Sequence, residues 1–106
     1  MSRVILPTKL ASEVKLYNQF DFTSILPSGD SITGTPTFTA SVYSGTDANP
    51  GGIIVGGSTV IVGAVVSTKI QAGVLGVIYE LLCSASTVGG LTLELAGYLA
   101  VVPDLP

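Results

Sequence analysis

Histidine and tryptophan are both missing from this chain, and only 4 of its 106 residues are lysine or arginine. Without histidine, the side chain that most often moves protons near neutral pH is gone. A serine triad would then need a lysine base, and no serine stands in a GxSxG turn. The 4 basic residues face 7 acidic ones, giving a net charge of −3 with no basic run. Nucleic acid binding driven by counterion release has no footprint here. Charged residues make up only 10% while hydrophobic ones reach 47%, a balance that excludes a disordered chain. The single cysteine, Cys83, cannot close a disulfide within the chain, and one Cys without His cannot hold zinc. Within Leu81-Leu82-Cys83 it reads as a small buried hydrophobe. No glycine-rich stretch has the phosphate-cradling spacing of GxGxxG or GxxxxGK. The expectation is a protein that is not an enzyme and uses no cofactor and no metal.

The N-terminal run before Pro7 is too short for the apolar core of a signal peptide. The most serious membrane candidate is Gly51–Thr68, which carries no charge. Nine of its residues between Ile53 and Val66 are Ile, Val or Thr, and Gly56-Gly57-Ser58 interrupts them. Branched side chains and paired glycines suit strands and turns better than a helix, so no membrane span is expected.

What is present is a period of two. Val14, Leu16, Phe20 and Phe22 alternate with polar residues, with Tyr17 the amphipathic exception, which describes a half-buried strand. Leu26-Pro27-Ser28-Gly29-Asp30 is a turn, in which Asp30 bonds its own backbone rather than an ion. A second strand follows from Ile32 through Val42, with Thr35-Pro36 marking a bulge or an edge. After a loop at 44–52, Ile53–Val55 and Thr59–Val66 read as strands, the latter extending toward Gln71. The apolar Val60-Ile61-Val62 suggests burial on both faces or a switch between sheets. Val77–Thr87 and Leu91–Val102 make a last hairpin. A three-residue loop, 88–90, sets Cys83 opposite Leu95 and Tyr79 opposite Leu99, and keeps the apolar sets on one face. In that register Glu80 and Glu94 stand roughly 13–14 Å apart on the outer face, too far for a glycosidase pair. The sum is an all-β sandwich of about seven antiparallel strands.

The core faces leave an apolar excess. Ile78, Leu82, Tyr98 and Val102 line the outer side of the hairpin, and an N-terminal arm, 1–12, brings Val4, Ile5, Leu6 and Leu10. Exposed beside strand edges, such a band invites association. The arm is therefore expected to lie on a neighbour, with the sandwich over 13–102 and a C-terminal tail at 103–106. The alternative is that both termini fold back on their own sandwich.

Gly76-Val77-Ile78-Tyr79-Glu80-Leu81-Leu82-Cys83, followed by Thr87-Val88-Gly89-Gly90, resembles the penultimate strand and hairpin of fibronectin-type and immunoglobulin-like sandwiches. That resemblance makes Tyr79 the tyrosine of a tyrosine corner, with the 73–76 turn supplying its hydroxyl with an acceptor. Together with Leu26-Pro27-Ser28-Gly29-Asp30-Ser31-Ile32, the pattern is similar to small bacteriophage virion proteins, over about residues 14–90. The resemblance implies a structural component of a phage tail or head–tail region, such as a fibre-to-tail adaptor. Its implied partners are other virion proteins (tail, fibre, portal or capsid) and further copies of itself, as a homo-oligomer or multi-copy ring. Capsid decoration and a carbohydrate-binding module are the alternatives.

Overall fold

The computed structural model describes residues 2–102, and the expected tail at 103–106 lies outside the described residues. The strands are β1 (Ser2–Ile5), β2 (Lys9–Leu10), β3 (Lys15–Asp21), β4 (Ile32–Ser44), β5 (Val60–Val62), β6 (Val65–Ile70), β7 (Ile78–Thr87) and β8 (Thr92–Val102). They form two sheets. The larger has the order β1-β8-β7-β4, with β2 also on β8, and the smaller the order β3-β6-β5. The six strands from β3 onward pair antiparallel, whereas β1 and β2 run parallel to β8. This is the immunoglobulin-like arrangement, with the first strand joined to the last.

Alternation explains the core. Tyr17, Phe20, Phe22, Val66 and Ile70 of the smaller-sheet side meet Tyr79, Leu81, Cys83, Leu95, Leu99 and Val101 of the larger sheet. Each such side chain contributes about 1.5–3 kcal/mol by leaving water. Phe20 and Phe38 join the layers edge to face, with ring centroids 5.1 Å apart. Burial raises the Cys83 thiol to about 12, which keeps it protonated and inert.

The last hairpin has the register read from its sequence, Cys83 opposite Leu95 and Tyr79 opposite Leu99. Thr87 N–H donates to the Leu91 carbonyl at 2.9 Å across the 88–90 loop, and Gly90 takes a φ of +87°. At Thr35-Pro36 the register of β4 shifts against β7, and β4 is also the sheet's edge, so both readings of that dipeptide hold.

Elsewhere the expectations fail for identifiable reasons. A bulge between Tyr17 and Phe20 changes parity within β3, so Tyr17 turns inward while Val14 and Leu16 face solvent. The segment 59–71 is not one strand but the hairpin β5–β6, which Gly63 turns at a φ of +61°. Val60-Ile61-Val62 is exposed, neither buried on two faces nor crossing sheets. Ile53 closes a short 3-10 turn, Pro50–Ile53, and Ile54 makes a single bridge to Ile70. Leu91, at the head of the last apolar run, is exposed at the loop.

Candidate functional site

The N-terminal arm lies along β8 of its own chain and not away from it. Ser2 stands opposite Leu95 and Ile5 opposite Tyr98, and after Pro7 the pairing resumes with Lys9 opposite Val101. Three side chains tie the arm down. The Tyr17 hydroxyl donates to the Pro7 carbonyl at 3.0 Å, and Lys15 Nζ donates to the Thr8 carbonyl at 3.2 Å. Lys9 is fully buried, and its ammonium donates to the carbonyls of Leu10, Ala11 and Ala72. Leu6 fills the space above Gly97, where an added Cβ would lie 2.8 Å from Leu6 Cγ. Leu6, expected at an interface, is buried against Gly97 by this close fit. Val4 is half-buried against the same core.

With the arm in place, the outer face of the larger sheet is four strands wide. Pairing aligns Thr39, Leu82, Ala96 and Arg3 in one row, and Ser41, Glu80, Tyr98 and Ile5 in the next. Ile78 stands beside Ala100, and Val102 beside Leu10. The outer-face candidates Ile78, Leu82, Tyr98 and Val102 are half-buried, not fully covered. Ile5 is 92% exposed and Leu10 is at the exposed margin.

Arg3 and Tyr43 cover part of Tyr98. The Arg3 guanidinium lies 4.4 Å from the centre of the Tyr98 ring, and its Nη1 donates to Glu80 Oε2 at 2.9 Å. Tyr43, on the bulged end of β4, stacks on the same ring at 4.2 Å with planes 33° apart. The hydrogen bond to Glu80 raises the Arg3 pKa further, so this group stays charged. Arginine and tyrosine are the side chains that most often anchor interfaces. Here they are already held, which lowers the entropy cost of binding. Sequence reading missed Arg3 and Tyr43, although a basic residue two positions before Ile5 shares its strand face.

At the opposite side of β7, the Tyr79 hydroxyl accepts the Val74 N–H at 2.8 Å and donates to Asp47 Oδ2 at 2.6 Å. The 73–76 turn therefore offers a donor and not the expected acceptor, because a carboxylate takes the hydroxyl proton. That bond, then one from the Asn49 N–H, holds the Asp47 carboxyl below its usual range. A carboxylate with a lowered folded pKa stabilises the fold above its unfolded pKa, about 3.9, and loses that effect as pH falls through the folded value. Tyr79→Phe removes both bonds and is expected to lower the melting temperature by about 8–16 °C at neutral pH, at roughly 1 kcal/mol per bond. At pH 2, with the carboxyl protonated, the gap should narrow but not close, because the bond from the Val74 N–H is lost at either pH. An equal gap at both pH values would show that the bond to Asp47 does not depend on the charged carboxylate.

Asp30 bridges the two loops at the far end, its Oδ1 accepting the N–H groups of Ser31 and Gly89 at 2.8 and 2.9 Å. Its Oδ1 is thus engaged in tying turn to hairpin. Among the described residues no cluster of three or more potential metal ligands occurs, and no helix is long and apolar enough to cross a membrane. The candidate site is a surface assembled from strand faces and an arm.

Comparison with known proteins bears on what that surface meets. The sequence profile of the family Gp77, described as "Podophage GP4 fiber-tail adaptor protein gp77", matches residues 9–99. No curated protein and no solved structure matches the chain.

Proposed function

The chain belongs to the podophage GP4 fiber-tail adaptor family, a structural component of the virion tail, and from that premise we propose that it docks a tail fibre or a neighbouring tail protein through the outer face of its larger sheet. The observation that carries this reading is the cluster of Arg3, Tyr43, Tyr98 and Glu80 beside the bare Ile5. Ile78, Leu82, Leu10 and Val102 extend the contact along the hairpin and the arm, with Val4 and the buried Leu6 supporting the arm from beneath. A stable contact covers about 800 Å² on each partner. The partner also reaches the edge of β1, a four-residue stretch that Pro7 cuts short, so a few backbone pairs can add to side-chain burial.

The reading predicts the behaviour of Ile5→Asp and Tyr98→Ala. Truncating a central anchor costs about 2–4 kcal/mol of binding, or a 30- to 1,000-fold weaker complex. Fibre content per assembled particle, read by gel densitometry and negative-stain imaging, should fall sharply for both variants. Their circular dichroism spectra should match the parent. Normal fibre occupancy with both substitutions would place docking elsewhere on the molecule.

A further inference from the structure

The geometry points to β5 as a self-pairing edge, through which two copies of this chain join their smaller sheets about a two-fold axis. Every sheet edge offers unpaired N–H and C=O groups, and proteins normally blunt such edges with charge, proline, bulges or cover. The other edges here are blunted. Strand β4 contains Pro36 and two register shifts. The β1–β2 edge is broken at Pro7, with Arg3 and Lys9 in its strands. Strand β3 begins with Lys15, ends with Asp21 and bulges between them, and Pro7 and Thr8 are bonded to its side chains. Strand β5 has no charge, proline, bulge or cover, and only its length of three residues limits it as an edge.

Among the described residues, β5 pairs only with β6. Its three residues are exposed, Val60 by 51%, Ile61 by 37% and Val62 by 71%. Val60 and Val62 share the outer face with Val65 and Ser67, their partners on β6. With Leu16 and Asn18 these residues line an uncharged groove.

The occupant follows from the order of the residues. Val60-Ile61-Val62 reads the same in both directions. An antiparallel pair centred on Ile61 sets Ile61 against Ile61 of the second copy, and each Val60 against the other Val62. Branched side chains directly opposite one another are the favourable cross-strand pairs of a sheet. The same operation makes the contact isologous, so the pair closes on itself without growing into a filament. The uncharged groove lets two chains of net charge −3 meet here without local repulsion.

A ladder of this length buries much less than the roughly 800 Å² per partner of a stable complex. The pairing is therefore weak in free solution, with a dissociation constant on the order of 0.1–1 mM. Copies held side by side in one assembly reach millimolar local concentration and would be paired.

Sedimentation equilibrium of the full chain up to about 2 mM tests the proposal. The expected result is a mass rising from 10.7 kDa toward twice that value as concentration increases. Val62→Lys should hold the mass at the monomer value, with an unchanged spectrum and melting temperature, since a charge on an exposed edge opposes pairing. Val60→Lys should act alike. A parent chain that stays monomeric throughout, or a dimer that survives both substitutions, overturns the proposal. The lysine variants leave the larger sheet untouched. Their fibre occupancy therefore separates failure of this edge from failure of the docking face.

Discussion

Lys9→Met is expected to lower the melting temperature by about 10–20 °C, the largest effect of any single change on the arm. Methionine keeps the length and apolar stem of lysine but carries no N–H donor. The carbonyls of Leu10, Ala11 and Ala72 would then face a fully buried site without the ammonium that they now surround. Removing one partner of a buried charged network typically costs about 3–5 kcal/mol, because the groups left behind have lost both water and partner. Ala72 heightens the dependence. It has a φ of +51°, a conformation that alanine rarely adopts, and its carbonyl is one of the lysine's acceptors. Thermal denaturation followed by circular dichroism provides the measurement. A variant melting within about 2 °C of the parent would show that the ammonium does not hold the arm.

The second large effect concerns Gly97, which faces the core from the middle of β8. Its added Cβ would lie 2.8 Å from Leu6 Cγ and 2.9 Å from the Val4 carbonyl oxygen. The first contact could be relieved by a rotamer change, but the second is with backbone and requires the arm itself to move. Gly97→Val should therefore expel β1 from its place beside β8, at a cost of about 1–3 kcal/mol or more. Hydrogen exchange should then show the amides of Ser2–Ile5 losing protection while those of β7 opposite β4 keep theirs. If docking uses Arg3 and Ile5 in their present positions, fibre occupancy falls in the same variant. Undiminished protection in the arm would mean that the sandwich absorbs the methyl groups by another route.

The final hairpin was legible because its signals agreed: two alternating runs, a glycine-containing loop, and only one register that kept the apolar sets together. The bulged and exposed parts were less so. Alternation assigns Leu16 to the core, but the bulge before Phe20 reverses parity over a few residues, and no residue type announces it. Val60-Ile61-Val62 reads as interior because branched apolar residues are normally buried, whereas here they form an edge. Lys9 was invisible for the converse reason, since a lysine is expected in water. Gly97, however, left a usable trace. A glycine at a core-facing position within Leu95-Ala96-Gly97-Tyr98-Leu99 signals close approach by another segment, and that segment is the arm. The docking cluster was half-visible. Tyr98 and Ile5 follow from parity, and so does the face of Tyr43, but that Tyr43 meets Tyr98 across the intervening β7 is legible only from the strand order.

The parallel course of β1 and β8 has a mechanical consequence. Ser2 enters beside Leu95 while β8 leaves at Val102, so tension that pulls the arm and the last strand apart runs along both strands in opposite directions. Such a load shears the rungs between them simultaneously instead of opening them one by one like a zip. The molecule therefore resists most strongly along the common line of its arm and its last strand.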